Sequence, residues 1–178
     1  MNAIILYGSR YGTAQKYAQL LSEQTGIPAV SYQEMRDFSP FDTIVYIGSL
    51  YAGKTTGLAK TVRHFPTDHP FRLLVATVGL SDPEVEDNLL RIRESLAQEL
   101  SPAIFVRTTH VHLPGAIDYS VLSTHHRIMM KGLCILLRRQ PPEDRAPDSQ
   151  VILDSYGKSV DLTDPAALAP IQSWLEKG

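Results

Sequence analysis

Short runs of consecutive apolar residues alternate along the chain with stretches whose apolar residues recur every three or four positions. Ala3 to Tyr7 is the first run, and Thr13 to Gln24 follows with Ala14, Tyr17, Ala18 and Leu21 on one helical face, closed by Gly26 and Pro28. Pro28 to Tyr32 predicts a weak second strand, Thr43 to Ile47 a strong third, and Thr56 to Phe65 a short helix. Leu73 to Val78 predicts a fourth strand. After it, Asp82-Pro83 starts a helix with Val85, Leu89, Ile92, Leu96 and Leu100 on its stripe, which Ser101-Pro102 stops. Ile104 to Val111 predicts a fifth strand. A closing helix runs from Asp164-Pro165 through Leu168, Ile171 and Leu175, where Pro170 demands a kink or a late start.

Strands that are apolar at every position must be covered on both faces, which a parallel sheet sandwiched between helices achieves. The pattern therefore predicts an α/β fold with a doubly wound sheet. Residues 1–178 are one domain's worth of chain, but strand–helix units leave a surplus at about 112–150, read as an insertion after the fifth strand. It holds a predicted helix after Asp118 with Leu122, His126, Met129, Leu133 and Leu136 on one stripe, and a Pro-rich charged loop from Gln140 to Pro147.

Composition narrows the function classes. The chain is 43% hydrophobic and 20% charged with a formal net charge of −2, values of an ordinary globular protein. The basic excess that wholesale nucleic-acid binding needs is missing. The single cysteine, Cys134, excludes an internal disulfide and a thiolate metal cluster and suits a reducing compartment. No leader-like segment precedes the first strand, and the longest apolar stretch, around Ile128 to Leu137, is broken by Lys131, so a cytoplasmic protein is expected.

In an open α/β sheet, ligands bind beyond the carboxyl ends of the strands. Two loops there have the make-up of phosphate cradles. Gly8-Ser9-Arg10-Tyr11-Gly12-Thr13-Ala14 leads into the first helix, where backbone N–H groups and the helix dipole favour a phosphate monoester. The alternative is a plain helix cap with Thr13 doing the capping. Gly48-Ser49-Leu50-Tyr51-Ala52-Gly53-Lys54-Thr55 satisfies the nucleotide P-loop expression. Against an NTPase, the fourth strand ends at Thr77-Val78 and the fifth at Thr109-His110, with no acid to hold Mg²⁺. Only Val151-Ile152-Leu153-Asp154 approaches that pattern, and the helix after Thr55 is short.

The strand Ile4 to Tyr7, the Ser9…Gly12-Thr13 loop and the aromatic Tyr51 after the third strand resemble the flavodoxin superfamily. In the insertion, Gly115-Ala116-Ile117-Asp118-Tyr119-Ser120 followed by Arg127-Ile128-Met129-Met130-Lys131 is similar to the flavodoxin-domain proteins related to menaquinone-dependent protoporphyrinogen dehydrogenase. The resemblance implies a five-stranded parallel sheet of order 2-1-3-4-5 and noncovalent FMN. It puts the phosphate at Ser9, Arg10, Tyr11, Gly12, Thr13 and Ala14. The ring edge would lie against Ser49, Leu50, Tyr51, Ala52 and Gly53 and against Thr77, Val78, Gly79 and Leu80. Ala14 departs from the family's second Thr, removing one hydroxyl contact, and Lys54 would set a cation near the ring. The implied activity is a flavin-dependent oxidoreductase that oxidises protoporphyrinogen with a quinone acceptor, in haem biosynthesis. An electron shuttle between redox proteins is the alternative, although −2 overall gives little sign of an acidic docking rim.

His110 and His112 share a strand face, and His125 and His126 lie in the insertion that could fold over it. A metal site, a proton relay and ordinary half-buried histidines are the three readings. The insert helix with Arg127, Lys131, Arg138 and Arg139 suits an anionic membrane surface, a cover for the sheet, or a second subunit in a homodimer. Gly-x-Ser-x-Gly is absent, so no serine hydrolase context is present.

Overall fold

The computed structural model of the chain describes residues 2–65 and 69–177. Five of the apolar runs lie side by side as parallel strands: β1 (Ala3–Gly8), β2 (Ala29–Ser31), β3 (Thr43–Tyr51), β5 (Arg72–Gly79) and β6 (Thr108–Pro114). Their order is β2-β1-β3-β5-β6, with a two-residue β4 (Lys54–Thr55) added to β3. Counting the parallel strands alone, this is the expected 2-1-3-4-5. Ile5 pairs with Val45, Val45 with Leu74 and Leu74 with Thr109, so the register runs straight across the sheet.

Alternate residues of these strands feed two separate cores, because side chains point to opposite faces of a sheet. Ile5, Val45, Ile47, Leu74 and Ala76 meet Ala14, Tyr17, Ala18 and Leu21 of α1 (Thr13–Thr25) and Ile171 and Leu175 of α7 (Ala169–Glu176). Ile4, Leu6, Ile44, Tyr46, Leu73 and Val75 meet Leu58 of α2 (Leu58–Thr61) and Leu96 of α3 (Glu86–Glu99). Burying one such aliphatic side chain is worth roughly 1.5–3 kcal/mol, which is why neither face tolerates a polar residue at its centre.

Several boundaries differ from the sequence pattern. Ile104 is not in a strand: Pro102 has no N–H to give a sheet and opens the helical turn α4 (Pro102–Phe105), so β6 begins at Thr108. The Thr56 to Phe65 segment shrinks to α2 and a 3₁₀ turn, Val62–His64. Asp82 turns the chain by accepting from the Glu84 amide (2.8 Å), and α3 starts only at Glu86. On α3 the inward place belongs to Asn88, while Leu89 is exposed. At the carboxyl end Asp164 caps a 3₁₀ turn, Pro165–Leu168, by accepting from Ala166 N (2.9 Å). The helix proper starts late enough that Pro170 sits in its first turn, where no donor is lost.

The P-loop expression is overturned by its own backbone. Gly48 to Tyr51 continue β3, and Ala52-Gly53 form a two-residue hairpin turn with φ of 50° and 73° that pairs Tyr51 with Lys54. A hairpin spends its amides on the partner strand instead of presenting them to a phosphate. Val151 to Asp154 lie in α6 (Ser149–Ser155), which removes the last candidate strand acid.

The additional segment is longer than expected, and residues 112–114 belong to β6. It runs through β7 (Ala116–Asp118), α5 (Thr124–Arg139), α6 and β8 (Ser159–Asp161), and is closed by antiparallel pairing of β7 with β8. The stretch from Gln140 to Pro147 is largely exposed and contains one 3₁₀ turn, Pro142–Asp144. Leu122 and His126 are buried as the stripe predicted, but Leu137 takes the place of the exposed Leu136. Eleven residues, three turns of an undistorted helix, separate Leu137 from His126.

Tyr17 pins both ends of this segment to α1. Its hydroxyl donates to the Pro114 carbonyl (2.8 Å) and accepts from the Asp164 amide (2.9 Å). Tyr17→Phe leaves both backbone groups without their partner and is expected to lower the unfolding free energy by about 1–3 kcal/mol, read from urea denaturation. An unchanged midpoint would show that water replaces the hydroxyl without loss.

Candidate cofactor-binding cleft

The carboxyl ends of β1, β3 and β5 open into a cleft of about 530 Å³ that α3, α5 and α6 wall off from the side. One end of it is formed by the start of α1. Gly12 caps that helix with φ of 93°, a left-handed conformation in which a β-branched residue is strained. No side chain caps the helix and its first turn holds no acid, so Thr13 is not the cap. The Gly12 amide is taken by Ser9 Oγ (3.0 Å), while the next amides have no side-chain acceptor. A bare helix N-terminus with Arg10 beside it is a seat for an anion.

Ser9, Arg10, Tyr11 and Thr13 line the cleft. Gly12 acts through its backbone and Ala14 packs in the core, so a hydroxyl at position 14 would need to turn away from apolar neighbours. Ser49, Leu50, Tyr51, Ala52 and Gly53 line the cleft as strand and hairpin turn, and Val78, Gly79 and Leu80 as the end of β5 and the loop after it. Thr77 lies beneath, fully buried. Ser49 Oγ is within 3.1 Å of Thr56 Oγ1 and 3.3 Å of the Gly8 carbonyl, and so serves the fold. Lys54 is exposed on β4 and does not reach the cleft. The cation beside Tyr51 is Arg10, whose guanidinium carbon lies 4.4 Å from the ring centroid.

His126 is buried against the same ring. Its centroid lies 4.5 Å from that of Tyr51, Arg10 Nη1 donates to its Nε2 (3.0 Å), and its Nδ1 meets Tyr11 Oη. Arginine can only donate, so Nε2 accepts and the neutral imidazole carries its hydrogen on Nδ1, directed at Tyr11. Two rings that sandwich a third stand roughly 7 Å apart, twice the ~3.5 Å contact distance of carbon atoms. A planar group stacked on the face of Tyr51 that His126 covers would take the place of His126.

The floor is a hydrogen-bonded chain. Thr77 Oγ1 donates to His112 Nδ1 (2.8 Å), and His112 Nε2 donates to the Ser81 carbonyl (3.1 Å). Ser81 Oγ donates to Asp148 at the start of α6 (2.9 Å), tying the loop after β5 to the added segment. His110 instead packs against Phe105, away from the cleft. His125 is exposed. Among the described residues no three His, Cys, Asp or Glu side chains gather at metal-binding distance.

Asn88 went unnoticed in the sequence, although a polar residue beside the Val85–Ile92 stripe is the kind of signal that marks a buried acceptor. It is 2% exposed and lines the cleft; its Nδ2 donates to the Asp82 carbonyl (3.1 Å) while its Oδ1 has no partner. An orphaned buried carbonyl calls for an N–H from a ligand. The edge of a flavin ring offers one, so anion seat, aromatic face and orphan acceptor together fit the group that the sequence implies.

Burial depresses the basicity of His112, of His126 and of His110, with Arg10 and then His125 adding to the effect at His126 and Arg93 at His110. The unfolded chain therefore takes up protons on these imidazoles before the folded one does. Stability is full above the ordinary histidine value of about 6.5 and declines as pH falls below it. Urea denaturation at about pH 7 and about pH 5.5 is expected to give a lower midpoint at the acidic value. A midpoint that rises on acidification would contradict the neutral hydrogen-bonded state of these rings.

No curated protein matches the chain. The family model of the flavodoxin domain matches residues 4–140, from β1 through α5. That span holds the parallel sheet, the bare helix terminus and the wall formed by α5, so the chain belongs to the flavodoxin domain family.

Proposed function

We propose that the protein binds FMN in this cleft and works as a flavin-dependent electron-transfer protein. The observation that carries this reading is the uncapped start of α1, with Arg10 beside it, opening on the same cleft as Tyr51 and the orphaned Asn88 Oδ1. The α1 terminus and Arg10 would hold the phosphate, Tyr51 the ring face, and Asn88 a ring N–H. Bound FMN supplies a ring that takes up and hands on electrons, and the protein tunes it through hydrogen bonds and nearby charge. Arg10 is the charge nearest that ring face.

Between an oxidoreductase and a shuttle, the wall favours the oxidoreductase. Ile92, Met129, Met130, Leu133 and Ile152 make the outer side of the cleft apolar and shield it, whereas a shuttle needs its ring edge presented to a protein partner. An apolar, partly enclosed slot suits oxidation of a protoporphyrinogen with a quinone acceptor: each electron pair leaves the porphyrinogen with two protons, and one quinone is reduced to quinol for each pair.

FMN titration followed by flavin fluorescence tests the binding step. Gly12→Val strains the left-handed N-cap and is expected to weaken binding by about tenfold or more, ~1.4 kcal/mol. Lys54→Ala is expected to leave it unchanged. If wild-type protein does not bind FMN, the reading fails; if it binds FMN but does not oxidise protoporphyrinogen with a quinone under anaerobic conditions, the shuttle is the better account.

A further inference from the structure

Helix α5 has two apolar faces, and only one is spent on the fold. Its inner face buries His126, Cys134 and Leu137 and lends Met129, Met130 and Leu133 to the cleft. On the outer face Ile128 is 67% exposed, Leu136 60% and Ile135 41%, and Val121 in the turn before the helix is 61% exposed. At about 100° per residue, Ile128 and Ile135 fall at the centre of this face, with Leu136 on one border and Lys131, Arg138 and Arg127 along the other. Arg139, 11 residues on from Ile128, falls near the centre line of this face and ends it with a cation at the last residue of the helix. Aliphatic residues left in water along one helix face mark a contact surface rather than the scattered exposure usual for monomers.

Charge identifies the contact. Between Thr124 and Arg139 there are four Lys or Arg residues and no Asp or Glu, in a chain whose net charge is −2. The outer face of α5 is thus a local positive patch on a protein that is negative elsewhere. A second copy of the chain suits it poorly, because an isologous contact brings up the same helix, which carries no Asp or Glu to offset the basic border. The combination of protruding aliphatic side chains with a basic border and no acid matches the headgroup boundary of an anionic bilayer, where acyl chains take the former and phosphates the latter. No helix among the described residues is long and apolar enough to cross a membrane. At 16 residues α5 is about 24 Å long.

We infer that α5 docks the protein on an anionic lipid surface through Ile128, Ile135 and Leu136, with Lys131, Arg138 and Arg139 on the phosphates. The inference is independent of the flavin reading, since it uses the face of the helix turned away from the cleft. It sets the cleft about one helix diameter, ~10 Å, from the bilayer.

The full chain is sedimented with vesicles of phosphatidylglycerol and phosphatidylcholine in equal parts, and with vesicles of phosphatidylcholine alone, at about 50 mM and about 500 mM salt. Binding to the anionic vesicles at low salt and its loss at high salt are expected. Lys131→Ala with Arg138→Ala is expected to weaken the partition by about 25-fold, roughly fivefold for each charge. Ile128→Ser with Ile135→Ser is expected to weaken it by at least about tenfold, with the circular dichroism spectrum unchanged because both side chains are exposed. The inference is overturned if the anionic vesicles do not retain the wild-type protein, or if both double variants bind them as well as the wild type does. It is equally overturned if sedimentation without lipid shows a dimer that Ile128→Ser dissolves, which would place a second copy on this face.

Discussion

The constraint on which everything else rests is that a parallel sheet must be covered on both faces. Ile5, Val45 and Leu74 on one side, and Ile4, Ile44 and Leu73 on the other, leave no face open to solvent. Helices therefore occupy both sides, and each crossing from strand to helix is made at the carboxyl edge. The groups that a ligand can meet are concentrated there: helix termini with unspent amides, and loops free of packing duties. The cleft is less a separate invention than the place where the covering layers stop.

Onto this frame the chain adds a wall. The segment from β7 to β8 brings α5 and α6 across the open end of the sheet, and polar contacts fix it at several depths. Tyr17 holds its two ends, Ser81 ties α6 to the loop after β5, and His126 reaches Arg10 and Tyr11 at the anion seat. The last of these holds the His126 ring against Tyr51, on an aromatic face that a planar ligand would otherwise use. Neutral His126 favours this arrangement, because its protonated form would turn an N–H toward the donors of Arg10.

Much of this was legible in the residues. Unbroken apolar runs pointed to the parallel strands, since no other sheet buries both faces, and Gly12 before Thr13 marked the bend at which α1 starts uncapped. What escaped reading were features set by tertiary partners. Gly48 to Thr55 spells a nucleotide loop, but the spelling does not reveal that Ala52 and Gly53 both turn left-handed and send the chain back along β3. On α3 Asn88 is buried and Leu89 exposed, because the helix turns its Asn88–Ile92 side toward the cleft, which the apolar stripe alone does not reveal. Asn88 and His126 became visible as site residues only when three elements distant in sequence were brought to one cleft.

The hydrogen bond from Leu162 N to the Gly115 carbonyl, 3.0 Å long, closes the β7–β8 ribbon at its base. The chain thus leaves the sheet and returns to it at nearly the same point, across a gap one hydrogen bond wide. A short turn joining those two residues would leave the parallel strands and the uncapped start of α1 standing, stripped of the apolar wall and of the exposed aliphatic face of α5 alike. Cofactor seat and surroundings are in that sense separable units, one belonging to the sheet and the other to a detachable annex.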